Sequence, residues 1–203
     1  MRCLRLSFIC AVFFVGPAFG CGETEEHESP PAVTYIGVVQ GTETRIAILR
    51  TSRALEAYVC GQGPTLESHT RWFQGALGTH DAGAAEIESE GWHLRVHEGA
   101  TNLIGELVAP SGEALPWMAD RIPESAASIV GLYESYELGC RTGVIVWQAQ
   151  PGRSCSAQGV WCDEDGERGQ VTPAECTAGA PLVVRGVRDG TEFDFVVDRV
   201  QSP

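Results

Sequence analysis

From Val33 onward, apolar and polar residues alternate in short runs separated by Gly-rich or polar turns. A period of two over five to nine residues is the pattern of half-buried β-strands. The clearest run is Trp92–His97. Trp92, Leu94 and Val96 fall on one face, and His93, Arg95 and His97 on the other. The pattern predicts strands at Thr34–Gln40, Thr44–Arg50, Ala54–Cys60, Thr70–Leu77, Ala84–Ser89, Trp92–His97, Asn102–Ala109 and Leu115–Arg121. It continues with Ile129–Glu137, Thr142–Gln150, Gly159–Cys162, Arg168–Thr172, Leu182–Val187 and Glu192–Val200. Thr51–Tyr58 could form a helical turn or two behind a Thr51 or Ser52 cap, but the run Ala54–Cys60 reads better as a strand. Short strands at this spacing predict an all-β fold, an antiparallel meander forming a barrel or a sandwich.

The turns support that reading. Gly41-Thr42-Glu43, Glu98-Gly99-Ala100, Pro110–Glu113, Asp165-Gly166 and Asp189-Gly190 all fall between predicted strands. Composition changes near Ser125, and Cys140–Cys176 carries four cysteines, Trp147, Trp161 and an acidic turn. The organisation expected is a single β-rich domain over 33–203: a meander over 33–136, then a disulfide-braced C-terminal β extension over 137–203.

The first residues follow another pattern. Arg2 and Arg5 precede the mostly apolar Leu6–Phe19, and Ala18 and Gly20 stand at −3 and −1 to the Gly20–Cys21 bond. That is an export leader over 1–20, too short for a stable membrane span. Ala18-Phe19-Gly20-Cys21 resembles a bacterial lipobox, which implies acylation of Cys21. The match departs at Phe19, where the pattern has a small residue, and at Ala18, where it prefers Leu. Residues 21–32, acidic and closed by Pro30-Pro31, read as an extended tether. The expectation is a membrane partner through a lipid on Cys21, in the cell envelope on the extracytoplasmic side. The alternative is a secreted protein whose Cys21 joins a disulfide.

Composition narrows the partners. Against 14 basic residues stand 27 acidic ones, giving a formal charge of −13. Removal of Arg2 and Arg5 with the leader makes the mature chain more acidic still. Such a surface repels phosphate backbones, so nucleic acid is not an expected partner.

A resemblance enters on three motifs. Ala57-Tyr58-Val59-Cys60-Gly61, then Trp72-Phe73-Gln74-Gly75, then Gly131-Leu132-Tyr133 resemble a set of largely uncharacterised secreted or lipid-anchored bacterial proteins, mainly from actinomycetes. The resemblance covers about Val33 to Tyr136. It implies a meandering β-domain and no particular activity. It also implies that the cysteine at position 60 stands alone, and the apolar neighbours of Cys60 suit a buried thiol. The segment Cys140–Cys176 departs from the pattern.

Of eight cysteines, Cys3 and Cys10 leave with the leader. With Cys21 acylated and Cys60 free, Cys140, Cys155, Cys162 and Cys176 remain, and export makes disulfides the expectation. Four cysteines allow three connectivities. The favoured one is Cys155–Cys162 across a short hairpin, with Cys140–Cys176 around it. A zinc cluster is the rival, but Cys155-x6-Cys162 lacks the usual ligand spacing.

Other candidates are weaker. On a strand His93 and His97 lie roughly 13 Å apart, too far to share a metal ion. His80-Asp81 could belong to a nucleophilic triad, yet no activated serine motif accompanies it. Asp163–Glu167 clusters acids, but its glycine falls at the wrong place for a calcium loop; a hairpin tip with a type I′ turn is the plainer reading. The five tryptophans suit a barrel core better than a ligand cavity. No catalytic residue, metal or cofactor is therefore expected. The leading expectation is a non-enzymatic extracytoplasmic binding or structural domain. The alternatives are a hydrolase using His80, Asp81 and His93, or a protease inhibitor presenting Arg153 or Gln158 from a Cys155–Cys162 loop.

Overall fold

A computed structural model of the chain describes residues 32–77, 84–123, 129–148, 155–176 and 181–201. The expected leader, Cys21, nearly all of the expected tether, His80, Asp81 and Arg153 lie outside the described residues.

The first strands are β1 (Val33–Val39), β2 (Arg45–Arg50), β3 (Ala54–Cys60) and β4 (Arg71–Ala76). They continue with β5 (Ala84–Ser89), β6 (Trp92–Glu98), β7 (Asn102–Val108) and β8 (Ala114–Arg121). Each pairs antiparallel with its sequence neighbour, except that β4 and β5 share no ladder. β1 closes on β8 instead, with Gly37 opposite Ala119, giving the order β4-β3-β2-β1-β8-β7-β6-β5. The result is an eight-stranded near-barrel with its seam between β4 and β5. Across that seam a Cβ on Gly75 would lie 3.0 Å from Ile87, so the two edges touch without bonding.

The inward positions of all eight strands make one core. It includes Ile46, Ile48, Leu55, Val59, Phe73, Leu94, Leu103, Leu107 and Trp117. The faces read from the alternation in β6 hold: Trp92, Leu94 and Val96 are buried. The β5–β6 turn is type I′ at Glu90 and Gly91, with φ of 51° and 77°.

The second sheet follows the same up-and-down logic. Its strands are β9 (Gly131–Ser135), β10 (Thr142–Gln148), β11 (Ser156–Cys162), β12 (Arg168–Glu175), β13 (Leu182–Arg188) and β14 (Thr191–Arg199). β14 returns to pair with β9, closing a six-stranded barrel. Trp161, Val144, Val146, Val184, Phe195 and Val197 fill it. The C-terminal part is thus a closed barrel in its own right, and Gly131-Leu132-Tyr133 belongs to it.

β2, β3 and β10 are nearly continuous apolar runs because both of their faces are buried. Ile46, Ile48, Leu55 and Val59 point into the first barrel. On the other face, Ala47, Leu49, Tyr58 and Cys60 pack against Val130, Leu132, Ile145 and Val160 of the second. Gly143 marks the closest approach: a Cβ there would lie 2.5 Å from the Tyr58 ring.

The structure holds Cys140–Cys162 and Cys155–Cys176 disulfides, which corrects the expected pairing of Cys155 with Cys162 and Cys140 with Cys176. The reason is geometric. Cys155 immediately precedes β11 and Cys162 ends it, so extended chain separates them by roughly 23 Å, far beyond disulfide reach. Cys162 instead meets Cys140 beside the isolated bridge between Gly139 and Asp163. Among the described residues Cys60 is free and buried. The disulfides indicate an oxidising, extracytoplasmic environment. Among the described residues no helix is long and apolar enough to cross a membrane.

Candidate functional site

A partly open polar cavity lies where the barrels meet. Its volume is about 180 Å³, and it is lined by Tyr58, Thr70, Arg71, Trp72 and Glu90 from the first barrel side, and by Arg141, Val160 and Arg168 from the second. Its position follows from the junction. Arg71 and Trp72 open β4, Arg168 opens β12, and Arg141 directly precedes β10.

Two cation–π stacks pin the barrels reciprocally. Arg141 of the second barrel lies 3.6 Å from the centroid of the Trp72 ring, and Arg45 of the first lies 3.5 Å from that of Trp147. Arg141 also carries the junction's ion pairs. It donates to Glu56 Oε1 at 2.5 Å and to Glu134 Oε2 at 2.7 Å. The Glu56 side chain is only 4% exposed. Burial works against the Arg141 charge, but the hydrogen bonds to the two carboxylates outweigh it and raise its pKa. Gln158 completes the seal by donating to the backbone carbonyls of Glu43 and Cys60.

The other two guanidinium groups differ. Arg71 is 8% exposed and donates to the Ser68 carbonyl, while its nearest carboxylate, Glu90, lies 3.6 Å away and is mostly exposed. Burial lowers the Arg71 pKa; Glu90 opposes that shift and Arg168 adds to it. Arg168 is exposed and forms no ion pair among the described residues. Two donors in the cavity-lining residues are buried without a hydrogen-bond partner, Arg71 Nε and Trp72 Nε1, while the Tyr58 hydroxyl lies beside the Cys60 thiol and the Val160 backbone. Burial pushes the Tyr58 hydroxyl well above its ordinary pKa, so it stays protonated. Burial likewise pushes the Cys60 thiol up to about 12.

The residues singled out from sequence are dispersed. His93 sits on the outer face of β6, 3.0 Å from Glu86, and His97 is exposed on the same face. Neither lines the cavity. Asp163 is buried; its Oδ1 accepts from the Asp165 and Glu167 amides, and its Oδ2 pairs with Arg188 at 2.7 Å. The acidic turn therefore serves the β11–β12 loop. It is not type I′, since Gly166 alone has positive φ there; Asp189-Gly190 supplies a type I′ turn instead. Gln158 is 3% exposed and turned into the junction, so the inhibitor loop expected around it does not form.

Trp117 and Trp161 are barrel cores, as expected, and Trp92 joins the first core. Trp72 and Trp147 instead flank the junction. Sequence reasoning missed Arg71, Arg141 and Arg168 altogether. Their spacing carries no motif, and only the pairing of two barrels brings them together. Among the described residues no group of three His, Cys, Asp or Glu side chains could hold a metal ion. No protein-family model matches the chain, and neither a curated protein nor a solved structure matches it.

Proposed function

We propose that this chain is an exported, lipid-anchored binding protein. Cys21 carries the acyl group, residues 22–32 form the tether, and the paired barrels form a rigid extracytoplasmic head that holds a ligand. The observation that carries the reading is the cross-linked second barrel, built for an oxidising compartment and following a leader that ends at a lipobox-like cysteine. The junction cavity supports a binding role, because its walls offer guanidinium, indole and hydroxyl donors. An acyl chain contributes ~0.8 kcal/mol per buried CH2, so more than one chain suffices to hold such a head on a bilayer.

Mass spectrometry of the mature N-terminus after expression in a bacterial host tests the anchor. The expected result is an acylated Cys21 in the membrane fraction, with Cys21→Ser moving the protein to the soluble fraction. A mature terminus with an unmodified cysteine, or a full-length chain in the cytoplasm with its leader intact, overturns the reading.

A further inference from the structure

We propose that the junction cavity is an oxyanion site, binding the carboxylate or phosphate group of a small molecule between Arg71 and Arg168. The inference rests on the reading of the head as a binding domain and names its ligand class.

Three observations converge on it. The first is a division of labour among the arginines. Arg141 is neutralised by Glu56 and Glu134 and stacked on Trp72, so its charge is committed to the junction. Arg71 and Arg168 are not so committed. Arg71 is almost fully enclosed; it lies over the Trp92 ring and donates to the Ser68 carbonyl, but its carboxylate partner is the solvated Glu90 at 3.6 Å, and Arg168 meets no carboxylate among the described residues. A guanidinium enclosed with only a loose, solvated carboxylate costs desolvation energy that a bound anion would recover.

The second is the donor excess. Arg71 Nε and the Trp72 indole N–H are buried without partners. Buried donors are normally satisfied, and two on residues around one cavity point to an acceptor-rich occupant. Carboxylate and phosphate oxygens are such acceptors, and they match guanidinium geometry.

The third is charge context. In a chain with 27 acidic and 14 basic residues, a cavity lined by Arg71 and Arg168 against Glu90, with Arg141 already paired to its own carboxylates, is less acidic than its surroundings. The acidic surface repels large polyanions, while the enclosed cleft admits small ones. About 180 Å³ is slightly more than the ~150 Å³ cavity that accepts benzene, so the ligand is compact. Trp72 has Arg141 over its ring and Tyr58 4.6 Å away, so no open stacking platform is offered. The anionic group, not a flat ring, is what the site reads.

The test uses the mature chain with Cys21→Ser and follows the five tryptophan indole N–H resonances by NMR, at constant ionic strength. Inorganic phosphate, acetate and neutral acetamide are titrated separately. Phosphate or acetate is expected to move the Trp72 resonance saturably, and acetamide to leave it in place. Tighter binding of phosphate assigns a phosphoryl ligand, and tighter acetate a carboxylate. Arg168→Ala is expected to weaken binding at least tenfold with unchanged thermal stability, since Arg168 is exposed, and Arg168→Lys to retain part of it. The proposal is overturned if no oxyanion gives a saturable shift, if acetamide acts as the anions do, or if Arg168→Ala binds normally. N-terminal acylation is read separately, so an acylated protein with an inert cavity refutes the oxyanion site alone.

Discussion

Replacing Arg141 with Met removes the charge that holds Glu56 while keeping much of the side chain's apolar stem. Glu56 is 4% exposed and loses its close cation; Glu134, at 24%, can turn to water. Stripping one partner from a buried ion pair costs about 3–5 kcal/mol. Arg141 is itself 24% exposed, so water can reach part of the vacated space and the low end of that range applies. The expected loss is about 3 kcal/mol, which at about 2–4 °C per kcal/mol for a chain of this size is a fall of roughly 6–12 °C in Tm. Glu56→Gln removes the stranded charge. The double variant Glu56→Gln/Arg141→Met should therefore lose only about 1 kcal/mol, from the stack on Trp72 and the missing hydrogen bonds. Urea unfolding followed by tryptophan fluorescence, with all four members of the cycle compared at equal m-value, measures the coupling. A single-variant loss under about 1 kcal/mol, or a double variant no better than Arg141→Met, would refute the assignment of Arg141 as the junction's electrostatic anchor.

Non-reducing digestion should yield peptides joined through Cys140–Cys162 and Cys155–Cys176. Replacing either pair by serine should cost about 3 kcal/mol from its closed loop, read by urea unfolding, and a Cys155–Cys162 peptide would contradict the barrel. His69 hydrogen-bonds through Nδ1 to Thr44 and has its pKa lowered by burial and by Arg71. The unfolded chain therefore takes up that proton first, and stability should fall as pH drops below ~6.5, levelling off below the folded pKa. His69→Gln should remove that part of the slope between pH 7 and 5; an unchanged slope would show that His69 is not its source. The Cys60 thiol, pushed up to about 12, should resist iodoacetamide at pH 8 in the native protein and react fully in urea, and rapid native labelling would contradict its burial.

The strands were legible because a period of two survives wherever one face is wet. β3 and β5 begin and end where the alternation predicts, and most other strands shift by one or two residues. β11 is the informative failure. Its first residues, Ser156-Ala157-Gln158, carry little apolar signal, so the strand read as starting at Gly159. That error left room for a false hairpin between Cys155 and Cys162. The short helical stretch Gly63–His69 also escaped notice, being too brief to show a period, although Pro64 in its first turn suits a helix start. The ring closures of β1 on β8 and β9 on β14 join residues far apart in sequence and have no local signature. One cue to the junction is present in the sequence. Continuous apolar runs in β2 and β3, where a barrel open to water would alternate, already required a second body against their outer faces.

The cleft and the junction are one construction. Ile36, Leu49, Tyr58, Leu132 and Ile145 seal the barrels with apolar contact, and Gly143 lets them approach to the thickness of the Tyr58 ring. Beside this seal the contact becomes polar, and Arg141 spends its charge there. Arg71 is carried by β4 of the first barrel and Arg168 by β12 of the second, so an anion held by both is bonded to both barrels. Such a ligand binds the docked pair and not the separated barrels. It therefore stabilises the junction by mass action, by about 2.7 kcal/mol at a hundredfold excess over Kd. That increment is comparable to the cost expected for removing Arg141, so saturating oxyanion should offset most of the Arg141→Met loss, provided the variant still docks its barrels. At the same oxyanion concentration the gain in Arg141→Met/Arg168→Ala should fall to about 1.4 kcal/mol or less, because a site weakened at least tenfold is then at no more than tenfold excess over Kd. A rescue undiminished by the loss of Arg168 would place the anion elsewhere on the surface.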